Sequence, residues 1–269
     1  MRLHVRHRTR YGYAPAIPYA IQEVRLTPGP VDGQAVRRWT VRGEGGRILP
    51  AVQDGYGNLM HLHSLLKTHG ESEILAEGEV VTTDTSGIVR GARETLPAAY
   101  YRRVTPSTAA DGALSRLAGE VRGHLAENAV AAMHRLMGLI RDRIDFEKGR
   151  TDAGTTAAEA LASGRGVCQD HAHVLIACAR HLGLPARYVS GYLWTGDGTV
   201  GEASHAWAEL HLSGLGWVGF DAANRVCPTE SYVRVAAGLD YGATAPVRGI
   251  RRGAAEETLT VEVRVRALG

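Results

Sequence analysis

From the N-terminus to about residue 90 the apolar positions recur at every second residue. Leu3, Val5 and His7 alternate with Arg2, His4 and Arg6, and the same period returns over residues 36–41, 59–66 and 74–83. A period of two places alternate side chains on one face of a pleated strand, so each stretch predicts a strand with one face buried. Turn-forming residues punctuate them at Pro28-Gly29-Pro30, Asp32-Gly33, Gly43 to Gly46 and Asp54-Gly55-Tyr56-Gly57-Asn58. That spacing is typical of an antiparallel β-sandwich, and residues 1–90 are expected to form an all-β domain.

Residues 91–112 carry Pro97 and Pro106 with no clear period and read as a linker. Beyond them the spacing changes to three and four. Residues 114–125, then Val130, Met133, Leu136, Met137, Ile140 and Ile144, predict two helices with apolar stripes. Thr156 and Glu159 form a capping box for a short helix ending at Ser163-Gly164, because each can satisfy a free backbone N–H of the other's turn. The turn Gly164-Arg165-Gly166 then leads to a buried helix opened by Cys168, striped by Ala172, Leu175, Ile176, Ala179 and Leu182, and stopped by Gly183 and Pro185. Strands are expected over 187–194, 204–212 and 216–221, the first two joined by a glycine-rich turn at 196–201. The alternation of Leu259, Val261, Val263 and Val265 predicts a last strand that could close either sheet. The fold class is therefore α+β, with a second domain over 113–269 that includes the C-terminal strand.

A length of 269 residues is enough for two such domains, and 44% hydrophobic with 22% charged residues excludes a disordered chain. The balance of 31 basic and 28 acidic residues gives a formal charge of only +3. The arginines are spread along strands with no basic block beside stacked aromatics, so no nucleic-acid partner is expected. No stretch reaches the roughly 18 apolar residues of a membrane span, and the N-terminus alternates apolar with basic residues. The expectation is a cytoplasmic protein without a membrane partner. Cys168 and Cys178 are ten positions apart on one expected helix, about 15 Å at 1.5 Å per residue, and cannot pair. Nor do the three cysteines show the CxxC spacing of a zinc framework.

One arrangement suggests chemistry. A thiol in the first turn of a helix meets unpaired N–H groups and the positive end of the helix dipole, which favour thiolate. His205 lies near the start of the strand after the glycine-rich turn. Asp221 closes the next strand, so a short turn can set the two side by side. Cys168 would attack a carbonyl, His205 would move the proton and Asp221 would orient the imidazole. Backbone N–H at Cys168 or Gln169 would supply one oxyanion donor, the second being unassigned. The plainer reading makes Cys168 a buried hydrophobe, His205 a core histidine and Asp221 a turn former. Spacing alone leaves both open.

Four motifs in order add weight to the first: Gly166-Val167-Cys168-Gln169-Asp170-His171-Ala172-His173, Leu184-Pro185-Ala186-Arg187-Tyr188-Val189-Ser190-Gly191-Tyr192, Ser204-His205-Ala206-Trp207 and Gly216-Trp217-Val218-Gly219-Phe220-Asp221. Together they resemble the core of bacterial transglutaminase-like proteins. Thr155 to Leu161, Asp240-Tyr241 and Ala245 to Gly249 extend the likeness over residues 150–250. Arg25-Leu26-Thr27-Pro28 and Asp54 to Asn58 are similar to that family's N-terminal β domain. The resemblance implies a papain-like core with the nucleophile at a helix N-terminus packed on an antiparallel sheet. It also implies Cys168 as nucleophile, His205 as general base and Asp221 as orienter, with Gln169, Trp207 and Tyr192 beside them. Two departures stand out: His171, where an aromatic residue is common, and Ala222-Ala223 before Asn224, where the family often has Pro-Thr.

A metal site from Cys168, Asp170, His171 and His173 is not expected, because five residues of helix turn His173 about 500° from Cys168 and the ligands do not converge. His4, His7, His61, His63 and His69 are expected on the β surface. No cofactor is expected, and no loop has EF-hand spacing to suggest a calcium requirement. The expected activity is acyl transfer from a peptide or protein substrate, chiefly to water as a cysteine peptidase or amidase. Transfer to an amine and a non-catalytic peptide-binding module are the alternatives.

Overall fold

The computed structural model describes residues 1–196 and 204–269. The glycine-rich turn expected at 196–201 therefore falls, from residue 197 onward, outside the described residues. Among the described residues, no helix is long and apolar enough to cross a membrane.

The period-two stretches join strands that the period did not show, Tyr19–Thr27 and Val247–Arg252 among them, in two antiparallel sheets. One runs in the order Glu256–Leu268, Arg2–Ile17, His69–Thr82, Gln34–Glu44, and the other Val247–Arg252, Tyr19–Thr27, Leu59–Leu65, Arg47–Ile48. Val24 and Leu26 of the second sheet pack on Ile74 and Ala76 of the first, while Tyr11, Tyr13 and Ile17 meet Ala20 and Leu65. These contacts make the expected sandwich.

The last strand closes the N-terminal sheet. It pairs with Arg2–Ile17 along its length, Val265 opposite Val5 and Val261 opposite Thr9. Val247–Arg252 likewise pairs with Tyr19–Thr27. The chain thus leaves the core and returns to complete both sheets of the sandwich, so residues 247–268 pair with the N-terminal strands and not with the core. Burial explains the choice: Val263 and Val265 bury one face of an edge strand against Leu3 and Val5, leaving the other face polar. Two histidines expected on this domain's surface are instead buried, His7 at 2% and His63 at 0% exposure. Both occupy inward positions of their strands: His7 bridges Tyr192 Oη and Thr9 Oγ1, and His63 Nδ1 meets Gln22 Oε1 at 3.0 Å while its Nε2 is buried without a hydrogen-bond partner. Burial lowers each to about 4, so both are neutral at neutral pH.

The core is a sheet in the order Tyr232–Gly238, Ala186–Leu193, Ser204–Leu212, Gly216–Phe220, Ile88–Val89. Helices α1 (Gly112–Arg122), α2 (Ala129–Arg143), α3 (Ala157–Ser163) and α4 (Cys168–His181) gather on one face of it, and a one-turn helix, α5 (Tyr241–Thr244), follows the edge strand. Residues 170–180 of α4 are all buried, and its stripe of Ala172, Leu175, Ile176 and Ala179 packs on Ala206, Ala208, Leu210 and Phe220. The linker is packed down as well. From α4, the buried Arg180 guanidinium donates to Tyr101 O at 3.0 Å, Thr108 Oγ1 at 2.7 Å, Ala186 O at 2.8 Å and Leu239 O at 2.7 Å.

Two side-chain amides dock the sandwich on the core. Asn58 donates to Ala237 O at 2.9 Å and accepts from Ala237 N at 2.8 Å. Gln34 does the same with Arg234, at 2.9 and 2.8 Å. Both therefore satisfy backbone groups on the outer edge of the Tyr232–Gly238 strand, which would otherwise stand open. The turn Asp54 to Asn58 is itself held by Asp54, which accepts from Tyr56 N, Asn58 N and the Arg25 guanidinium.

Candidate active site

Cys168 owes its position to the way α4 begins. Asp170 reaches back from the first turn, its Oδ2 accepting from Val167 N and from Thr151 Oγ1, both at 2.7 Å. A Cβ on Gly166 would come within 2.7 Å of that carboxylate, so glycine is required for the approach. With the cap fixed, the N–H groups of Cys168 and Gln169 have no acceptor within the helix. Cys168 is only partly buried. The Gln169 side chain turns away to Asp152 O at 3.3 Å, which leaves its backbone N–H as the group of interest.

His205 lies opposite Gly191 on the neighbouring strand, and Asp221 directly follows Gly216–Phe220. Their side chains meet, His205 Nε2 donating to Asp221 Oδ2 at 2.6 Å. Asp221 is fully buried yet well supplied with donors: Tyr232 Oη at 2.8 Å and Asn224 Nδ2 at 2.7 Å on Oδ2, Ala223 N at 3.0 Å and Asn224 N at 3.2 Å on Oδ1. The loop after Asp221, which lacks the family's Pro-Thr, is thus tied down by the carboxylate itself. Burial alone would raise Asp221, but the hydrogen bond and charge of His205, with Tyr232 and Asn224, hold it below its ordinary value. Burial alone would lower His205. Its hydrogen bond to Asp221 and the charge of that carboxylate, with the nearby Cys168, instead push it up to about 10. The buried carboxylate thus favours the charged imidazole at neutral pH.

Trp207 stacks beside His205 at 6.4 Å and meets Tyr232 edge-on at 5.4 Å. A Cβ on Gly191 would lie 2.7 Å from the Trp207 ring and 2.1 Å from Val233 O, so this glycine makes room for the indole. Trp207 supports the imidazole from within the core, whereas Tyr192 lines the cleft and bonds His7 Nδ1 at 3.1 Å. The two buried histidines of α4 serve packing: His171 Nδ1 and Nε2 lie 2.8 Å from Val167 O and 3.1 Å from Ile144 O, and His173 Nε2 accepts from Tyr241 N at 3.1 Å. Among the described residues, no group of three or more histidine, cysteine, aspartate or glutamate side chains could hold a metal ion.

Spacing did not reveal Tyr232 and Asn224, the further partners of Asp221, nor Tyr188. Tyr188 lines the cleft with Cys168, and burial pushes its hydroxyl well above the ordinary phenol value. The cleft, about 280 Å³, lies between core and sandwich, with His7, Thr9, Tyr11 and Arg25 on the sandwich side. Only the Arg25-Leu26 motif pointed towards that wall.

Comparison with known proteins agrees with this architecture. The family model of the transglutaminase-like superfamily matches residues 115–222, and that of the bacterial transglutaminase-like N-terminal region matches residues 3–81. An uncharacterized protein of Mycobacterium leprae is 31% identical, the alignment covering 97% of this chain and 98% of that one. One from Mycobacterium tuberculosis is 29% identical over 93% of this chain and 87% of its own. A solved structure from Cytophaga hutchinsonii, provisionally described as a cysteine protease, superposes over 100% of this chain and 92% of its own with a TM-score of 0.78 at 20% identity, a likeness of fold. With both models matched in order and a full-length relative at 31% identity, the chain belongs to the bacterial transglutaminase-like family.

Proposed function

We propose that the protein is a thiol-dependent acyl-transfer enzyme acting on a peptide or protein substrate, with water as the usual acceptor. The observation that carries this reading is the His205 imidazole, bonded to the buried Asp221 at 2.6 Å and lining the same cleft as Cys168 at the start of α4. In the first half-reaction Cys168, its proton passed to His205, attacks the carbonyl carbon through Sγ, and the carbonyl electron pair moves to oxygen. That oxygen is received by the N–H groups at the start of α4. His205 then gives its proton to the leaving amine as the C–N bond breaks. In the second half-reaction His205 takes a proton from water, the hydroxide attacks the thioester and the thiolate leaves. Asp221 stays ionised throughout and holds the ring by Nε2–H, leaving Nδ1 for the proton transfers.

Peptide mass spectrometry of a digest library treated with wild type or Cys168→Ala tests the reading, with and without a small primary amine. Hydrolysis gives new peptide termini that depend on Cys168, whereas transamidation gives glutamine adducts of the amine. Neither product appearing would remove the enzymatic reading.

Tyr188 is the side chain we assign as the second oxyanion donor. Tyr188→Phe is then expected to lower kcat by about 10²-fold with KM little changed, the usual cost of losing one such donor. A purely structural role would instead change KM or stability, read from the same progress curves and a thermal melt.

A further inference from the structure

The sandwich wall of the cleft has a chemical character of its own. On the Glu256–Leu268 strand one face carries Leu259, Val261, Val263 and Val265. Val263 and Val265 are buried at 2% and 6% exposure, but Leu259 and Val261 remain 55% and 47% exposed, although they continue the same apolar row. Both line the cleft that contains Cys168 and His205, with Tyr11, Leu26, Tyr192 and Val247 around them. The sandwich interior therefore runs out into the active-site cleft.

The guanidinium and imidazole on this wall are already engaged. The Arg25 guanidinium is bound by Asp54 at 2.8 Å and Glu23 at 3.0 Å. His7, neutral and buried, has both ring nitrogens occupied by Tyr192 and Thr9 at 3.1 Å each. Among the described residues, the sandwich side of the cleft offers no unpaired charge to a ligand. A charged side chain entering here would lose its hydration without gaining a counter-ion, whereas an apolar one would cover Leu259 and Val261.

We infer that Leu259 and Val261, with Tyr11 and Leu26, form a specificity subsite for a bulky, uncharged apolar side chain within two residues of the attacked carbonyl. The inference rests on the acyl-transfer reading and gives it a substrate class: peptides with a leucine- or phenylalanine-like residue at the reacting bond. It also gives the sandwich a function, because the subsite exists only where the last strand returns to pair with Arg2–Ile17.

Acetyl-dipeptidyl chloromethyl ketones test it directly, carrying Leu, Phe, Gln, Asp or Lys at either of the two positions next to the ketone. Alkylation of Cys168 is followed by mass spectrometry in wild type, Leu259→Asp and Val261→Asp. Each rate is divided by the iodoacetamide rate of the same protein. In wild type the Leu and Phe probes are expected to react at least about tenfold faster than the Asp, Lys and Gln probes, a discrimination normal for an apolar pocket. Each aspartate variant is expected to shrink the Leu-to-Lys ratio by about tenfold or more, the new carboxylate accepting lysine. Equal wild-type rates, or ratios unchanged in both variants, would overturn the subsite. If Cys168 still reacts rapidly with iodoacetamide in that case, acyl transfer stands without it; if Cys168 is no faster than a free thiol, both fall.

Discussion

Asp221→Asn is expected to reduce kcat by about 10³- to 10⁴-fold while Cys168 and His205 remain in place. Asp221 accepts from five donors: His205, Tyr232, the Asn224 side chain and the backbone N–H of Ala223 and Asn224. A carboxamide has one accepting oxygen, so its N–H₂ must face donors on one side, and the imidazole loses both its counter-charge and its orientation. The cost in stability is expected to be about 1–3 kcal/mol from these unmade bonds. The pH dependence gives a second readout. In wild type, His205 gains stability and charge from Asp221 that are fully present below its ordinary value near 6.5 and are lost as pH rises through about 10. Activity that needs the imidazolium as proton donor should therefore persist into alkaline solution in wild type. In the variant its alkaline limb should move towards neutrality. Pre-steady-state measurement of acylation against pH in the two proteins checks both the size and the direction.

Glu209→Ala is expected to be the most destabilising single change outside the site, by about 3–5 kcal/mol, because it leaves buried guanidinium groups without their carboxylate. Glu209 is fully buried between Arg187, at 2.6 Å, and Arg234, at 2.8 Å. Arg187 also binds Glu94 at 3.0 Å and lies 4.0 Å over the Trp217 ring. Burial alone would raise the Glu209 carboxyl, but the charges and hydrogen bonds of Arg234 and Arg187 hold it at about 2. Its contribution is thus present above its ordinary value near 4.5 and lost as pH falls through about 2. Wild type should exceed the variant clearly at neutral pH, and the gap should narrow across that acid window. Arg234 also receives Gln34 on its backbone, so the same change should loosen the sandwich from the core. Denaturant melts at several pH values, together with proteolysis of the linker region, measure both effects.

How much of this was legible in the sequence depends on whether the information was local. Periodicity identified four strands of residues 1–90 and the helices around Cys168, because burial of one face leaves its mark every two or every three to four residues, but it missed Tyr19–Thr27, the centre of the second sheet. A helix start and two strands joined by a short turn made Cys168, His205 and Asp221 candidates, but that spacing left the plainer reading open, and the four motifs shared with a known family chose between the two. Periodicity gives a face and not a partner. The row Leu259, Val261, Val263 and Val265 therefore predicted a strand but not that it would pair with Arg2–Ile17 and bring an apolar wall to the cleft. His7 shares the apolar face of Leu3 and Val5, yet like His63 it was expected at the surface, because a polar ring goes inward only with partners such as Tyr192 and Gln22, which lie far away in sequence. Asn224 and Tyr232 escaped for the same reason, since only the folded loop and edge strand bring them to Asp221. The clamps by Gln34 and Asn58 link residues about 180 to 200 positions apart, beyond anything spacing can encode.

The central claim is that His205 and Asp221 keep Cys168 reactive before any substrate arrives. Its most direct test is the rate of iodoacetamide labelling at Cys168, Cys178 and Cys227, followed by peptide mass spectrometry from about pH 5 to about pH 9 in wild type and His205→Ala. Cys178 is buried and pushed up to about 12 by that burial, so it serves as the inert internal reference. The account predicts rapid labelling of Cys168 well below the ordinary thiol value of about 8.5, abolished in His205→Ala. Labelling of Cys168 that follows an ordinary thiol curve in wild type, or is unchanged by loss of His205, would contradict it.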